Sequence, residues 1–444
     1  MQIDRTTLTD LGIFSKIEEE SVLHLLDYTR TTGGRDWLKF FVSNPFDDIG
    51  KIHTTQQILK KFMEKLPEFP ATITNGTMMV LDKYYESPIA SIPHSAGAME
   101  TFFYTFFNRG DYVVARYSVK HMLSFIKGMY ELIELLDDDD NPLILKVTVD
   151  RAKMLLAKPL FQKIKNYHND RKIPASVIIE AGFYFYRSKN DVRELETIFY
   201  KMDAWYSMAQ ACIRHGFSFP EVVESNRPYI TAQNLWHPLL VNPVGYDLSI
   251  SEKNNFMFLT GANMAGKSTF IRAVGITVYL ASIGMAVPAD SARISRFDGL
   301  LSNIDISDNT LKGESYFYNE VQRINKTIDK ITDGKNWLIL IDELFKGTNI
   351  QDAMKCSTAV IEGFRRIENA LFILSTHLYE IGDNLKQYPN IQFKYFETEV
   401  GEDDYLKFSY KLKDGISNDR LGYLILRREG VVQKLNTLNN MTLE

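Results

Sequence analysis

Cysteine is nearly absent from this chain, with two residues in 444. Cys212 and Cys356 lie in helical-patterned segments without C-x-x-C spacing. They therefore suggest neither a disulfide framework nor a thiolate metal site, and read as reduced core residues. A basic excess is missing too: Lys plus Arg total 51 against 56 for Asp plus Glu, a formal charge of -5. Nothing global attracts a polyanion, so any nucleic-acid contact has to come from local patches. The opening Met1-Gln-Ile-Asp-Arg5 has polar residues where a secretion signal needs an apolar run. Ala273 to Ala289, the most apolar long stretch, falls short of a bilayer span. These absences lead us to expect a cytoplasmic protein with no membrane partner.

What is present is enough apolar residue, 45% of the chain, to fill two or three cores. Strand alternation is scarce before residue 230, and helical spacing dominates. Leu23, Leu26, Trp37, Leu38, Phe40 and Phe41 recur at helical intervals with Gly33-Gly34 as a break, and Ile49 to Lys65 starts another helix. Further helices are expected over Phe102 to Arg109, Tyr112 to Leu136, Val149 to Tyr167 and Asp191 to His215. Ala175 to Arg187, with Val177-Ile-Ile179 and Phe183-Tyr-Phe-Tyr186, reads as extended. Asp137 to Asp140 reads as an exposed loop, and the aromatics Phe102, Phe103, Tyr104, Phe106 and Phe107 as core rather than a base-stacking surface. After Ser225-Asn-Arg-Pro228, short apolar runs alternate with helices, as an α/β sheet demands. The expected organisation is a mostly α-helical domain over 1–230 and an α/β domain over 231–444.

The second half is organised around Phe256 to Ala273. An apolar strand (Phe256 to Thr260) runs into Gly261-Ala-Asn-Met-Ala-Gly266-Lys267-Ser268, which fits the phosphate-loop pattern G-x-x-x-x-G-K-[ST] and opens a helix. The glycines allow backbone N–H groups and the helix N-terminus to face an anion. Lys267 supplies a point charge for the β/γ phosphates, and the Ser268 hydroxyl a ligand for Mg2+. The expected nucleotide-binding set is Gly261, Asn263, Met264, Gly266, Lys267, Ser268 and Thr269, with ATP and Mg2+ as cofactors.

Two further strands carry chemistry at their ends. Trp337-Leu-Ile-Leu-Ile341 ends in Asp342-Glu343, where the first acid suits the metal and the second a catalytic base. Leu371-Phe-Ile-Leu-Ser375 ends in Thr376-His377, an imidazole suited to sensing a γ-phosphate. Lys267, Glu343 and His377 are the expected catalytic residues, with Ser268 and Asp342 on the metal.

These motifs together resemble the ATPase domain of the MutS family of DNA mismatch-repair proteins, an ABC-type branch of the P-loop NTPases. TGANMAGKSTFIR is similar to the family's TGPNMGGKST, with Ala262 and Ala265 as departures. Asp342 to Thr348 looks like DE-x-x-[RK]-G-T, and Ser375-Thr-His377 like the T-H switch. Asp308 to Glu320 looks like the signature G-x-S-T-F-x-x-E, with Tyr316 where Thr is usual. Upstream, Val22 to Asp27 through Asn44-Pro45 resembles the start of the helical core. Trp205 to Ala211 resembles the lever's return helix, and Trp236-His237-Pro238 the entry to the ATPase domain. Near the end, Tyr410 to Ser417 and Gly422 resemble the family's closing motif.

The resemblance implies a homodimer with two composite sites, Gly313 and Ser315 acting on nucleotide held by the other subunit. It also implies ATP-driven closure that moves a helical lever on DNA, with other repair proteins as further partners. No counterpart of the mismatch-reading, connector or nuclease domains is found, and the stretch from Lys146 to Arg187 is too short for long clamp helices. The expectation is a short MutS-like form that does not read mismatches itself. Two other classes fit the same loop: an ATP-gated protein scaffold that ignores DNA, and a phosphotransferase, for which no acceptor site is found.

Overall fold

The computed structural model describes residues 1–87, 92–93, 97–165, 173–304, 316–400 and 406–417, with Leu426, Gly430, Val431 and Lys434 beyond them. Compactness divides the chain into two units. One comprises Met1–Leu25, Pro45–Ile52 and His215–Glu444, the other Leu26–Asn44 and His53–Arg214. The change of pattern near residue 230 marks a change of secondary structure. Packing assigns Met1–Leu25 to the sheet-bearing unit.

The reason lies in the first turns of chain. Strand β1 (Gln2–Ile3) pairs parallel with Gly299 and Leu300, and helices α1 (Arg5–Asp10) and α2 (Val22–Leu25) follow. Asp4 caps α1, accepting from Thr7 N at 2.8 Å. Ser302 N donates to Thr7 Oγ1 at 2.9 Å, and buried Asp10 accepts from Ser302 Oγ at 2.5 Å and Ile304 N at 3.1 Å. A two-residue strand has no periodicity to read, so the sequence gives no sign of this pairing.

The next elements are all helices: α3 (Thr32–Ser43), α4 (Ile49–Lys65), α5 (Asn75–Glu86), α6 (Ala98–Phe107), α7 (Arg109–Leu136), α8 (Leu143–Leu156), α9 (Pro159–Lys165), α10 (Ala175–Arg187) and α11 (Lys189–His215). Three expectations need correcting. Gly33-Gly34 does not break a helix but lies in the first turn of α3. A Cβ on Gly34 would stand 2.1 Å from Asp203 Oδ2, so glycine admits the carboxylate that accepts from Thr31 Oγ1 at 2.7 Å. Ala175–Arg187 is helical, not extended, because Ile178, Ile179, Gly182 and Phe185 fall on one buried face.

The α6 aromatics are not core. Tyr104 is buried, whereas Phe102, Phe103, Phe106 and Phe107 are exposed and stack on one another along the helix. The acidic run is an exposed turn as expected, with Asp138 paired to Lys61 at 2.8 Å and Asp137 to Lys153. No helix among the described residues is long and apolar enough to cross a membrane.

The remaining chain builds two sheets. Strands are β2 (Glu221–Val223), β3 (Ile230–Leu235), β4 (Tyr246–Ile250), β5 (Phe256–Thr260), β6 (Ser291–Ser295), β7 (Gly299–Asn303), β8 (Trp337–Asp342), β9 (Ala370–Ser375), β10 (Ile391–Val400) and β11 (Leu406–Asp414). Helices α12 (Lys267–Ser282), α13 (Tyr316–Ile331), α14 (Ile350–Phe364) and α15 (Glu380–Leu385) intervene. The large sheet runs β1-β7-β8-β9-β5-β10-β11, and the small one β2-β6-β3-β4. In the large sheet every pairing is parallel except β10 with β11.

Strands β5, β8 and β9 are buried at every position, as expected of parallel strands covered on both faces. Helix α12 is apolar nearly all round because it too is enclosed. Its Gly275 has a packing reason: a Cβ there would lie 2.5 Å from Leu11 Cδ2 and 2.7 Å from Leu340 Cδ1.

Candidate nucleotide site

Strand order brings the expected residues together. β9 lies between β8 and β5, with Ser375 in register with Asp342 on one side and Leu259 on the other. The segments that leave these three strands at their carboxyl ends therefore emerge side by side. Ligands of open α/β sheets collect at such an edge.

After β5 the chain adopts conformations that side chains resist. Gly261 has φ 140°, Met264 φ 69° and Gly266 φ 109°, the last as N-cap of α12. Gly266 packs under Tyr410, Phe396 and Tyr246, and an edge-to-face cluster of Tyr246, Phe270 and Phe396 supports the loop. Lys267, 6% exposed, donates from Nζ to Gly261 O at 2.8 Å and Ala262 O at 3.0 Å, and lies 3.5 Å from His377 Nε2. Burial lowers its pKa, while the charges of Glu343 and Asp342 oppose that.

The acids occupy distinct positions. Asp342 accepts from Ser268 Oγ at 2.5 Å and, through its other oxygen, from Ser375 Oγ. A hydroxyl and a carboxylate side by side are the hard oxygen donors that Mg2+ selects, with phosphate and water oxygens completing its shell. Glu343, at φ 65°, meets His377 Nε2 through Oε1 at 2.8 Å and Lys346 Nζ through Oε2 at 3.4 Å. Burial alone would raise its carboxyl. The His377 hydrogen bond and the charges of His377 and Lys346 prevail and hold it at about 2. Glu343 is therefore a carboxylate at neutral pH, the form a general base needs.

Both motifs open onto a cleft of about 460 Å³ lined by Asn263, Met264, Gly266, Lys267, Ser268, Thr269 and Glu343. The rest of the lining is mostly apolar: Leu240, Val241, Val244, Tyr246 and Tyr410, with Asn242 among them. Sequence reasoning left that wall unassigned. It comes from the loop after β3, the start of β4 and β11, and of these residues only Tyr410 falls in a motif, one to which no role was attached. His237 sits behind the loop, its Nδ1 accepting from Leu239 N at 3.3 Å, and burial with the nearby Arg272 charge lowers its pKa to about 4. Lys346 and Ser375 were within quoted motifs but without a role. Their distances to the two acids now give them one. Gly313, Ser315 and Gly422 lie outside the described residues. Among the described residues no three His, Cys, Asp or Glu side chains group as a metal cluster.

Fold and site define an α/β unit whose glycine loop, buried lysine and paired acids share one edge of a mostly parallel sheet. Residues 257–438 match the family model described as MutS domain V. DNA mismatch repair protein MutS of Pseudothermotoga lettingae is 31% identical over 274 residues, 61% of this chain and 32% of that protein. MutS of Pelotomaculum thermopropionicum is 33% identical over 237 residues, 52% of this chain and 27% of that protein. DNA mismatch repair protein MSH3 of Vanderwaltozyma polyspora is 30% identical over 288 residues, 62% and 27% respectively. The matches support a MutS-family relationship carried by the C-terminal portion, and the chain spans about a third or less of these relatives' length.

Proposed function

We propose that this protein is a Mg2+-dependent ATPase of ABC-type P-loop architecture that works as a homodimer and uses ATP-driven closure to regulate DNA binding in repair or recombination. The reading is carried by one cleft lined by Lys267, Ser268 and Glu343, with Asp342 hydrogen-bonded to Ser268 and His377 to Glu343 just behind that lining. The backbone of Gly261 to Gly266 and the α12 N-terminus would hold the phosphates, Ser268 and Asp342 the metal, and the apolar wall the base. The metal, when bound, would neutralise charge developing on the phosphates. Glu343 orients and deprotonates the attacking water, and His377 fixes the carboxylate and lies near Lys267, where a terminal phosphate is sensed.

The composite-site role of Gly313 and Ser315 belongs to this reading by family resemblance. So do the lever role of the helical unit, the 1–230 and 231–444 domains, and a cytoplasmic location with other repair proteins as partners. The relatives' printed names, DNA mismatch repair protein, motivate the DNA component. The net charge of -5 favours a second reading, an ATP-gated protein scaffold that does not bind DNA.

ATP hydrolysis with and without duplex DNA, at low and moderate salt, separates the two. Stimulation that fades with salt supports the DNA reading, and no DNA binding even at low salt supports the scaffold. Absence of ATP binding with Mg2+ present would sink both.

A further inference from the structure

Several buried acids lie outside the cleft, and one of them holds the stretch that follows β8. Glu320, on α13, is 0% exposed. Its Oε1 accepts from Phe345 N at 2.9 Å and Lys346 N at 3.3 Å, and its Oε2 has no partner among the described residues. The carboxylate's side-chain hydrogen bonds thus all go to the stretch after β8. Phe317, a turn earlier on α13, adds a ring contact with Phe345 at 5.5 Å.

The stretch held in this way is the strained one. Glu343 and Phe345 have φ of 65° and 59°, values that side chains resist and that persist only when surroundings impose them. Lys346, gripped by its backbone N–H, sends its ammonium back to Glu343 Oε2 at 3.4 Å. Released from α13, Phe345 and Lys346 are free to relax toward ordinary backbone, and Glu343 moves with them.

We infer that Glu320 is a positioning residue: its carboxylate clamps the Phe345–Lys346 backbone, and so fixes Glu343 at the cleft edge and couples it to α13. This rests on the hydrolytic reading of the cleft.

Three variants separate geometry from charge. Glu320→Gln keeps the accepting oxygen, Glu320→Asp keeps the charge but is one methylene short, and Glu320→Ala keeps neither. Turnover in Asp and Ala should fall by about tenfold or more, as a displaced catalytic group commonly costs. Their affinity for a fluorescent ATP analogue with Mg2+ should stay within about threefold of wild type, the pattern of a lost transition-state contribution. Gln should stay near wild type in both. If Ala does not fold, the Gln and Asp pair decides the question. Equal turnover in all variants, or Gln as impaired as Asp, overturns the clamp.

Amide exchange at Phe345 and Lys346 in the nucleotide-free protein is independent of hydrolysis. Protection in wild type and Gln with loss in Asp and Ala supports the clamp, and unprotected wild-type amides overturn it. Failure of wild type to hydrolyse ATP would instead sink the functional reading, leaving amide exchange to judge Glu320.

Discussion

Glu343 shows how opposing effects on one side chain decide its chemistry. Folded, its carboxyl lies at about 2 against an ordinary 4.5. A depressed value means the native state favours the charged form. The stability this contributes is fully present above 4.5 and is lost as pH falls toward about 2. No acid limb of turnover across roughly pH 5 to 8 should therefore belong to Glu343. His377→Ala removes the main stabilising partner and leaves Lys346 alone against burial, so the acid limb should move upward in a pH–rate profile. An unchanged profile would remove His377 from the base's support. Glu343→Gln should bind ATP but lose turnover by about 10²–10⁴-fold, the range general bases supply, as single-turnover kinetics would report.

Among the elements, β5, β8 and β9 were legible because strands enclosed on both faces read as unbroken apolar runs, and each ends in a residue whose chemistry is distinctive. The apolar wall was not legible. Leu240, Val241 and Tyr410 reach the cleft from separate loops and strands, and only the fold makes them neighbours. Helix α10 misled because Val177, Ile178, Ile179 and the aromatic run favour strands by composition, yet the buried positions repeat at helical spacing. The phenylalanines of α6 misled in the other direction, since an aromatic cluster carries no mark of whether anything covers it.

Helix α12 offers a test at the same scale. Glycine inside a helix is normally a cost, and Gly275 persists because Leu11 and Leu340 press on it. Gly275→Ala should destabilise the protein by about 1–3 kcal/mol through overpacking, despite alanine's better helix propensity. Combined with Leu11→Ala, it should cost less than the sum of the two single losses, as urea unfolding of the three variants would show. Additive losses would mean the two sites do not share this contact.

At the scale of the whole molecule, the composite-site proposal makes a counting prediction. Lys267→Ala and Ser315→Ala proteins should each be nearly inactive. Mixed in equal amounts, they should recover about a quarter of wild-type turnover, because half the dimers are mixed and each mixed dimer has one intact site. No recovery after verified subunit exchange would mean each subunit completes its own site. Protein that hydrolyses normally when diluted to a monomer would contradict the dimer outright.

The hold of Ser302 N on Thr7 Oγ1 joins residues 295 positions apart. Synthesis yields β1 and α1 early, whereas β7 leaves the ribosome much later, so the flank of the large sheet is completed by chain that has had to wait. Closing so long a loop is slow, and until it closes β7 presents a bare edge to which other chains can add. Newly made protein should thus pass through a stage prone to self-association that ends only when the opening residues dock.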